Sequence, residues 1–220
     1  MKPKSSLFNS LLLCFLFVFP LSLFCQEPQS IQLPDPQTEG GRPLMEVLMD
    51  RSSSRTFSKE DLPLQTLSNL LWAGFGINRP ESGRRTAPSA NNRQDIDIYV
   101  ATAKGLYRYD ASTNALVVIL KDDIRALTGT QEYVKDAPVN LIYVSDFTKL
   151  GGDDDNAKYA TASAHTGFIS QNVYLYCASE GLATVVRGSV DKPALEAAMK
   201  LKPEQKVILA QTVGFPGETE

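Results

Sequence analysis

Apolar residues recur along this chain in two periods, one suited to helices and one to strands. Leu64, Leu67, Leu70, Leu71 and Trp72 follow the three-to-four spacing of a helix with a broad buried face, and Gly74 and Gly76 are expected to stop it. A shorter helix is predicted over 44–49, with Pro43 ahead of it. Residues 96–101 and 105–110 alternate apolar and polar, and 115–120 is a β-branched run, so three strands are expected. The turn-rich stretch 110–114 makes the last two a hairpin. A fourth strand is predicted over 139–144 and two more over 183–186 and 206–213, with a helix at 192–199.

Between them lies a long segment, 157–180, whose small and apolar residues repeat at helical spacing. Asp155 or Asn156 is expected to cap its start, and Gly181 to close it. Residues 79–93, rich in Arg, Ser, Pro and Asn, read as a loop. Helices and strands interleave without βαβ regularity or repeat. The class is therefore α+β, with one central mixed or antiparallel sheet of about five strands flanked by helices.

The N-terminus adds a separate signal. Lys2 and Lys4 precede an apolar run over 11–24, the layout of a secretory signal and short for a membrane span. The expected organisation is a signal peptide over 1–25, a Pro- and Gln-rich linker over 26–41, and one domain over 42–220. Export to the periplasm follows, with no stable span after cleavage; acylation of Cys25 or an uncleaved anchor are the other readings of this segment.

Composition narrows the chemistry. The 220 residues are 43% hydrophobic and 21% charged, enough for a real core, and the net charge of −3 comes with no long basic run. A nucleic-acid surface is not expected. Cys14 and Cys25 fall in the signal, so Cys177 stands alone in the domain and reads as a small buried hydrophobe. His165 is the single histidine, which rules out a three-His zinc site; on a long helix its expected role is structural. Asp153, Asp154 and Asp155, beside Gly151 and Gly152, suit a solvated loop feeding a helix cap better than a cation site. Trp72, Phe75, Tyr107 and Tyr109 are expected in the core or an interface.

Three stretches carry candidate chemistry. Arg51-Ser52-Ser53-Ser54-Arg55-Thr56-Phe57 sets two guanidinium groups four residues apart around three hydroxyls, a cradle for phosphate, although a polar helix end looks the same in isolation. Pro88-Ser89-Ala90-Asn91-Asn92-Arg93-Gln94 combines small residues with a stiffening proline, so its backbone can approach a flat ligand while Asn92 and Gln94 reach a heteroaromatic edge. Residues 167–184 form a helix of small and apolar residues that closes at Gly181, and they run on to Arg187 and Gly188. Such a helix is core, or core and subunit interface together.

Taken in order, these stretches resemble the nitroreductase family. Its pattern is Arg-Arg-Ser-x-Arg-x-Phe, then Pro-Ser-x-x-Asn-x-Gln, then a Gln-Asn-x-x-Leu helix ending in Gly-Leu-Gly-Thr, and finally a Gly-Tyr-Pro-like strand end. The last is matched here by Val213-Gly214-Phe215-Pro216. The stretch 67–110 is more similar to the SagB-type, azoline-oxidase-like branch. The resemblance spans residues 42–216.

It implies a homodimer with a long buried helix at the interface and two FMN molecules in interface clefts. Arg51 and Ser53 would hold the phosphate and ribityl chain, with Ser52 beside them where many relatives carry Arg or His. Arg55 would sit near the pyrimidine edge of the ring. Pro88, Ser89, Ala90 and Asn92 would come from the partner subunit, and Gly188 and Ser189 match the segment facing flavin N5. The implied activity is hydride or electron transfer from a donor such as NAD(P)H to a small-molecule acceptor. Where relatives carry Lys or Arg after the last motif, this sequence has Glu218 and Glu220. A second reading is therefore an exported binding protein that keeps the fold and dimer without flavin or turnover.

Overall fold

The structure is a computed structural model that describes residues 30–218, so the signal expected over 1–25 lies outside the described residues. Seven strands form one sheet in the order β1-β6-β5-β4-β7-β9-β8. They are β1 (Ser30–Gln32), β4 (Ile96–Thr102), β5 (Gly105–Asp110), β6 (Ala115–Leu120), β7 (Val139–Asp146), β8 (Ala183–Arg187) and β9 (Gln205–Gly214). Every neighbouring pair is antiparallel. Helices α1 (Leu44–Asp50), α2 (Leu64–Phe75), α3 (Asp155–Glu180) and α4 (Lys192–Ala198) complete the α+β fold, and β2 (Ile77–Arg79) pairs with β3 (Arg84–Arg85) apart from the sheet.

Strand periodicity assigns the two faces. Ile96, Ile98, Val100, Tyr107, Tyr109, Leu141 and Tyr143 point to one side and join α2 and α3 in the larger core. Tyr99, Ala101, Leu106, Ile142 and Val144 point to the other and meet Leu195 and Met199 of the α4 region. Seven strands replace the expected five or so because every apolar run expected as a strand joins the sheet, and one more comes from the expected linker. β1 is exposed throughout and shows no alternation, so nothing in its own residues announces it. Its pairing is tied down by Leu33, which is 2% exposed and whose N–H donates to the Asn114 carbonyl at 3.1 Å.

Other boundaries shift for local reasons. Gly74 lies inside α2 rather than stopping it, because a Cβ there would come within 3.1 Å of Val173 Cγ2 on α3. It is the close-approach point of the two helices, and α2 ends at Gly76 instead. α3 is capped by Asp154, not by the residues after it: the Asp154 carboxylate accepts from the Asn156 N–H at 3.0 Å. Gly181, at φ 70°, closes the helix in the left-handed conformation, as expected. The stretch 79–93 is not wholly loop, since it contributes the β2–β3 pair. Phe75, Tyr107, Tyr109 and Cys177 are buried as expected, whereas Trp72 is only half-buried and donates its indole N–H to the Ile77 carbonyl at 3.2 Å.

If residues 30–33 belong to the fold and not to a tether, Leu33→Ala should destabilise the protein by about 3 kcal/mol, the cost of a buried leucine cavity. Urea denaturation checks this, and a change near zero would return the segment to linker status.

Candidate functional site

The first arginine-serine motif begins where α1 ends. The Arg51 N–H closes the helix on the Val47 carbonyl at 2.9 Å, and its guanidinium lies 5.3 Å from the centre of the Tyr174 ring on α3. Ser53 Oγ and the Tyr174 hydroxyl are 2.9 Å apart, and that hydroxyl accepts from the Val186 N–H at 2.9 Å. Since the Val186 N–H can only donate, the tyrosine hydrogen is free to point to Ser53. The Ser54 N–H donates to the Thr184 carbonyl at 2.9 Å. Downstream, Phe57 bridges Pro216, and the Ser58 N–H donates to the Phe215 carbonyl at 2.9 Å. Thus the first and last motifs, far apart in sequence, lie side by side. Ser52 and Arg55 project from this segment as exposed residues.

β8 delivers a second set. Arg187 is 5% exposed and donates to the Thr128 carbonyl at 2.7 Å and to Asn140 Oδ1 at 2.8 Å. Its Nε is buried with no partner among the described residues. Both acceptors are neutral, and burial lowers the Arg187 pKa to about 10. Tyr133 connects the two sets: its ring lies 6.0 Å from the Arg187 guanidinium and 5.4 Å from the Phe57 ring. Burial raises the Tyr133 pKa, while the charges of Arg187 and Arg55 both act to lower it. Gly188 and Ser189 follow at the exposed strand end, where the Ser189 carbonyl accepts from the Thr130 N–H at 3.1 Å. Among the described residues, none of Arg51, Arg55 and Arg187 is ion-paired. Arg51 and Arg55 at the surface, with the buried charge of Arg187 behind the open strand end, make the region attractive to an anion.

The loop over 88–94 is built differently. Asn91, Asn92 and Gln94 all have positive φ, at 53°, 55° and 46°. The Gln94 N–H donates to Ser89 Oγ at 3.0 Å. The Gln94 amide is fully engaged within the loop: it accepts from Arg85 Nε at 2.8 Å and donates to the Gly83 carbonyl at 3.0 Å and Asn92 Oδ1 at 3.1 Å. It therefore holds the loop's shape, in place of the ligand contact expected of it. Pro88, Ala90 and Asn92 remain exposed, with Ser89 half-buried. The Ala90 N–H donates to His165 Nε2 on α3 at 2.8 Å.

Within one chain these groups do not meet. The loop contacts α3 at His165 and the arginine-serine motif contacts it at Tyr174. Nine residues separate those contacts, about 13 Å along the axis at 1.5 Å per residue. Three residues of the arrangement carry no site role in the motif reading: Tyr133 lies outside all the motifs, while Tyr174 and Arg187 lie in the third stretch, which reads as core or interface. Arg187 leaves one trace, a cation at the end of the β-branched run Thr184-Val185-Val186, where an apolar residue would be ordinary. Among the described residues no cluster of His, Cys, Asp or Glu suits a metal, and no helix is long and apolar enough to cross a membrane.

Comparison with known proteins places the fold in a family. A family model described as the nitroreductase family matches residues 48–215. A crystal structure from Ralstonia eutropha JMP134, provisionally named a nitroreductase, superposes with a TM-score of 0.82 at 40% identity, covering 86% of this chain and 90% of that one. A Methanocaldococcus jannaschii protein, also provisionally named a nitroreductase, is 28% identical over 186 residues, 80% of this chain and 92% of that one. A protein from Desulfovibrio desulfuricans, provisionally named a nitroreductase and described in complex with FMN, shares the fold with a TM-score of 0.58 at 21% identity, covering 82% of this chain and 92% of that one.

The unpaired Arg187 has a measurable pH signature. Its pKa is about 10 in the fold against an ordinary 12.5, so between those values the unfolded chain binds more protons and stability rises with pH. Compared with Arg187→Met by urea melts, the wild-type protein should hold a constant stability difference up to about pH 10 and gain relative to the variant by about pH 11. A difference that stays flat through that range would mean the cation is solvated or paired.

Proposed function

The chain belongs to the nitroreductase family, and on that premise we propose that it is an FMN-dependent oxidoreductase acting as a homodimer on a small-molecule substrate. The observation that carries the reading is the grouping of three cations without carboxylate partners, Arg51 over the Tyr174 ring, Arg187 over the Tyr133 ring and Arg55 near enough for its charge to act on Tyr133, beside Gly188 and Ser189. Unpaired guanidinium groups suit a phosphate ester, and a buried Nε without a partner marks a cation left uncompensated by the protein itself. A relative of the same fold is described with FMN, which supports this choice of anion.

In this reading Arg51 and Ser53 hold the phosphate and ribityl end, with Ser52 at its rim. Tyr174 orients Ser53 through their shared hydrogen bond. Arg55 and Arg187 set a positive field around the ring. Gly188 and Ser189 offer backbone at the strand end. Bound FMN supplies a ring that takes hydride from a reduced donor, NAD(P)H being the donor we favour, and returns electrons to an acceptor. Within the family, the likeness of 67–110 favours the azoline-oxidase-like branch.

The dimer reading draws on apolar surface. Leu44, Met45, Leu48 and Met49 of α1 are exposed, Met45 at 71% and Met49 at 86%, and Phe168 on α3 is 46% exposed. On α3, Ala164, Gly167 and Gln171 are exposed in the same region, so a second copy can approach closely there. Such a dimer brings the 88–92 loop of one subunit toward the 51–55 segment of the other, uniting the two halves that a single chain holds apart.

Two measurements test the proposal. The purified full chain should take up FMN with a flavin absorbance spectrum, and Arg51→Ala should weaken binding by about tenfold or more, the loss of a charge-assisted contact. A wild-type protein that binds no FMN would overturn the cofactor. Light scattering should give the mass of two chains for the wild type and of one for Met49→Asp; a wild-type monomer would overturn the dimer.

A further inference from the structure

His165 and Asp95 lie outside the phosphate cradle and have no part in the reading above, yet they are the most completely buried ionisable pair among the described residues. His165 is 3% exposed and Asp95 0%. Their side chains meet at 2.5 Å between Nδ1 and Oδ1. On its far side Asp95 Oδ2 accepts from the Ser145 hydroxyl at 2.8 Å, and the Asp95 carbonyl accepts from the Asp146 N–H at 2.8 Å. On the far side of the ring, Nε2 meets the Ala90 N–H at 2.8 Å.

Donor and acceptor roles in this chain of groups are forced. A backbone N–H can only donate, so Nε2 must carry a lone pair. The imidazole proton then sits on Nδ1 and is given to Asp95, which keeps the carboxylate as acceptor from both His165 and Ser145. The series Ser145–Asp95–His165 thus fixes one tautomer, and the one thing that tautomer presents outward is an acceptor for Ala90.

Ala90 is where such a support is needed. The residues after it, Asn91, Asn92 and Gln94, occupy left-handed backbone conformations that non-glycine residues adopt at a cost. The far end of the loop is tied elsewhere: Arg93 donates to the Lys149 carbonyl at 2.8 Å, Lys149 Nζ donates to the Gln94 carbonyl at 3.2 Å, and the Gln94 amide holds Arg85, which donates to the Phe75 carbonyl at 2.9 Å. Residues 88–92 lie before those ties, and the Ser89 hydroxyl bonds only within the loop. Ala90 is joined to α3, and Asp95, the residue that anchors the ring, directly follows the loop in sequence.

We propose that His165, held in one tautomer by Asp95 and Ser145, is a positioning residue that sets the 88–92 loop for ligand contact. The inference rests on the FMN reading for the identity of the ligand and on the geometry alone for the control of the loop. α3 thereby positions both halves of the site, Ser53 through Tyr174 and Ala90 through His165.

Two substitutions separate this role from ordinary burial of a polar side chain. Asparagine ends at the reach of Nδ1: His165→Asn keeps a donor for Asp95 and loses the acceptor for Ala90. Glutamine ends at the reach of Nε2: His165→Gln keeps an acceptor for Ala90 and loses the donor to Asp95. Both variants lose stability, so stability is not the readout. In the full chain without FMN, the Ala90 amide should exchange with solvent about tenfold or more faster in His165→Asn than in wild type, with His165→Gln near wild type. FMN affinity should follow the same order, falling about tenfold in His165→Asn and recovering in His165→Gln.

Equal exchange at Ala90 in wild type and His165→Asn would overturn control of the loop. Faster exchange with unchanged FMN affinity would overturn its relevance to the ligand. A wild-type protein that binds no FMN would remove the cofactor reading, and with it the ligand half of this inference, while the exchange measurement would still decide whether His165 governs the loop.

Discussion

The packing of α3 across the sheet is the constraint on which everything else in this molecule depends. Its 26 residues bury a single stripe, Ala162, His165, Thr166, Ile169, Ser170, Val173, Tyr174 and Cys177, at steps of three and four. The apolar members of that stripe join Ile98, Val100, Leu141 and Tyr143 in the larger core, and Gly74 lets α2 close down on the same helix. Because the stripe cannot rotate without exposing those residues, the polar members embedded in it are fixed as well. Tyr174 is thereby aimed at Ser53 and the end of β8, and His165 at the 88–94 loop. A hydrophobic contact thus dictates where the hydrogen-bonding groups stand.

The charge distribution works against stability and toward binding. Arg187 is taken out of water with only neutral groups for company, two oxygens and the Tyr133 ring, an arrangement that costs the isolated protein free energy. Arg51 leans on an aromatic ring and Arg55 stands in solvent. A fold selected for stability alone would pair these groups with the carboxylates that this acidic chain has in excess. Their separation from carboxylates makes physical sense when an anion from outside completes the balance, as in the family to which the chain belongs.

Burial of single residues explains why some elements were legible and others were not. The strands with alternating or unbroken apolar runs, 96–101, 105–110, 115–120, 139–144, 183–186 and 206–213, announced themselves because their periodicity reflects the two faces they cover. β1 is short and exposed, and its existence depends on β6 offering an edge and on Leu33 finding a pocket. Gly74 reads as a helix stop in sequence and is a helix contact in space. Gln94 reads as a ligand-facing amide and instead closes its own loop, since Arg85 and Gly83 happen to lie within reach.

What the sequence determined by itself was therefore whatever local chemistry specifies: the periods of helix and strand, the glycine that ends α3, and four motifs in an order that marks the family. Tertiary structure decided which polar groups became partners. Arg51, Ser53 and Arg55 are visible as a motif, but Tyr133, Tyr174 and Arg187 join them only because the short turn Glu132–Lys135, the later part of α3 and the end of β8 are brought to one place. His165 looked like an ordinary structural histidine, and it is indeed buried; its bond to Ala90 follows from the seating of the buried face of α3 on the sheet. Hydrogen bonds between residues seventy or more positions apart have no local sequence signal, because their formation is fixed by the tertiary packing of the apolar faces in which such residues are embedded.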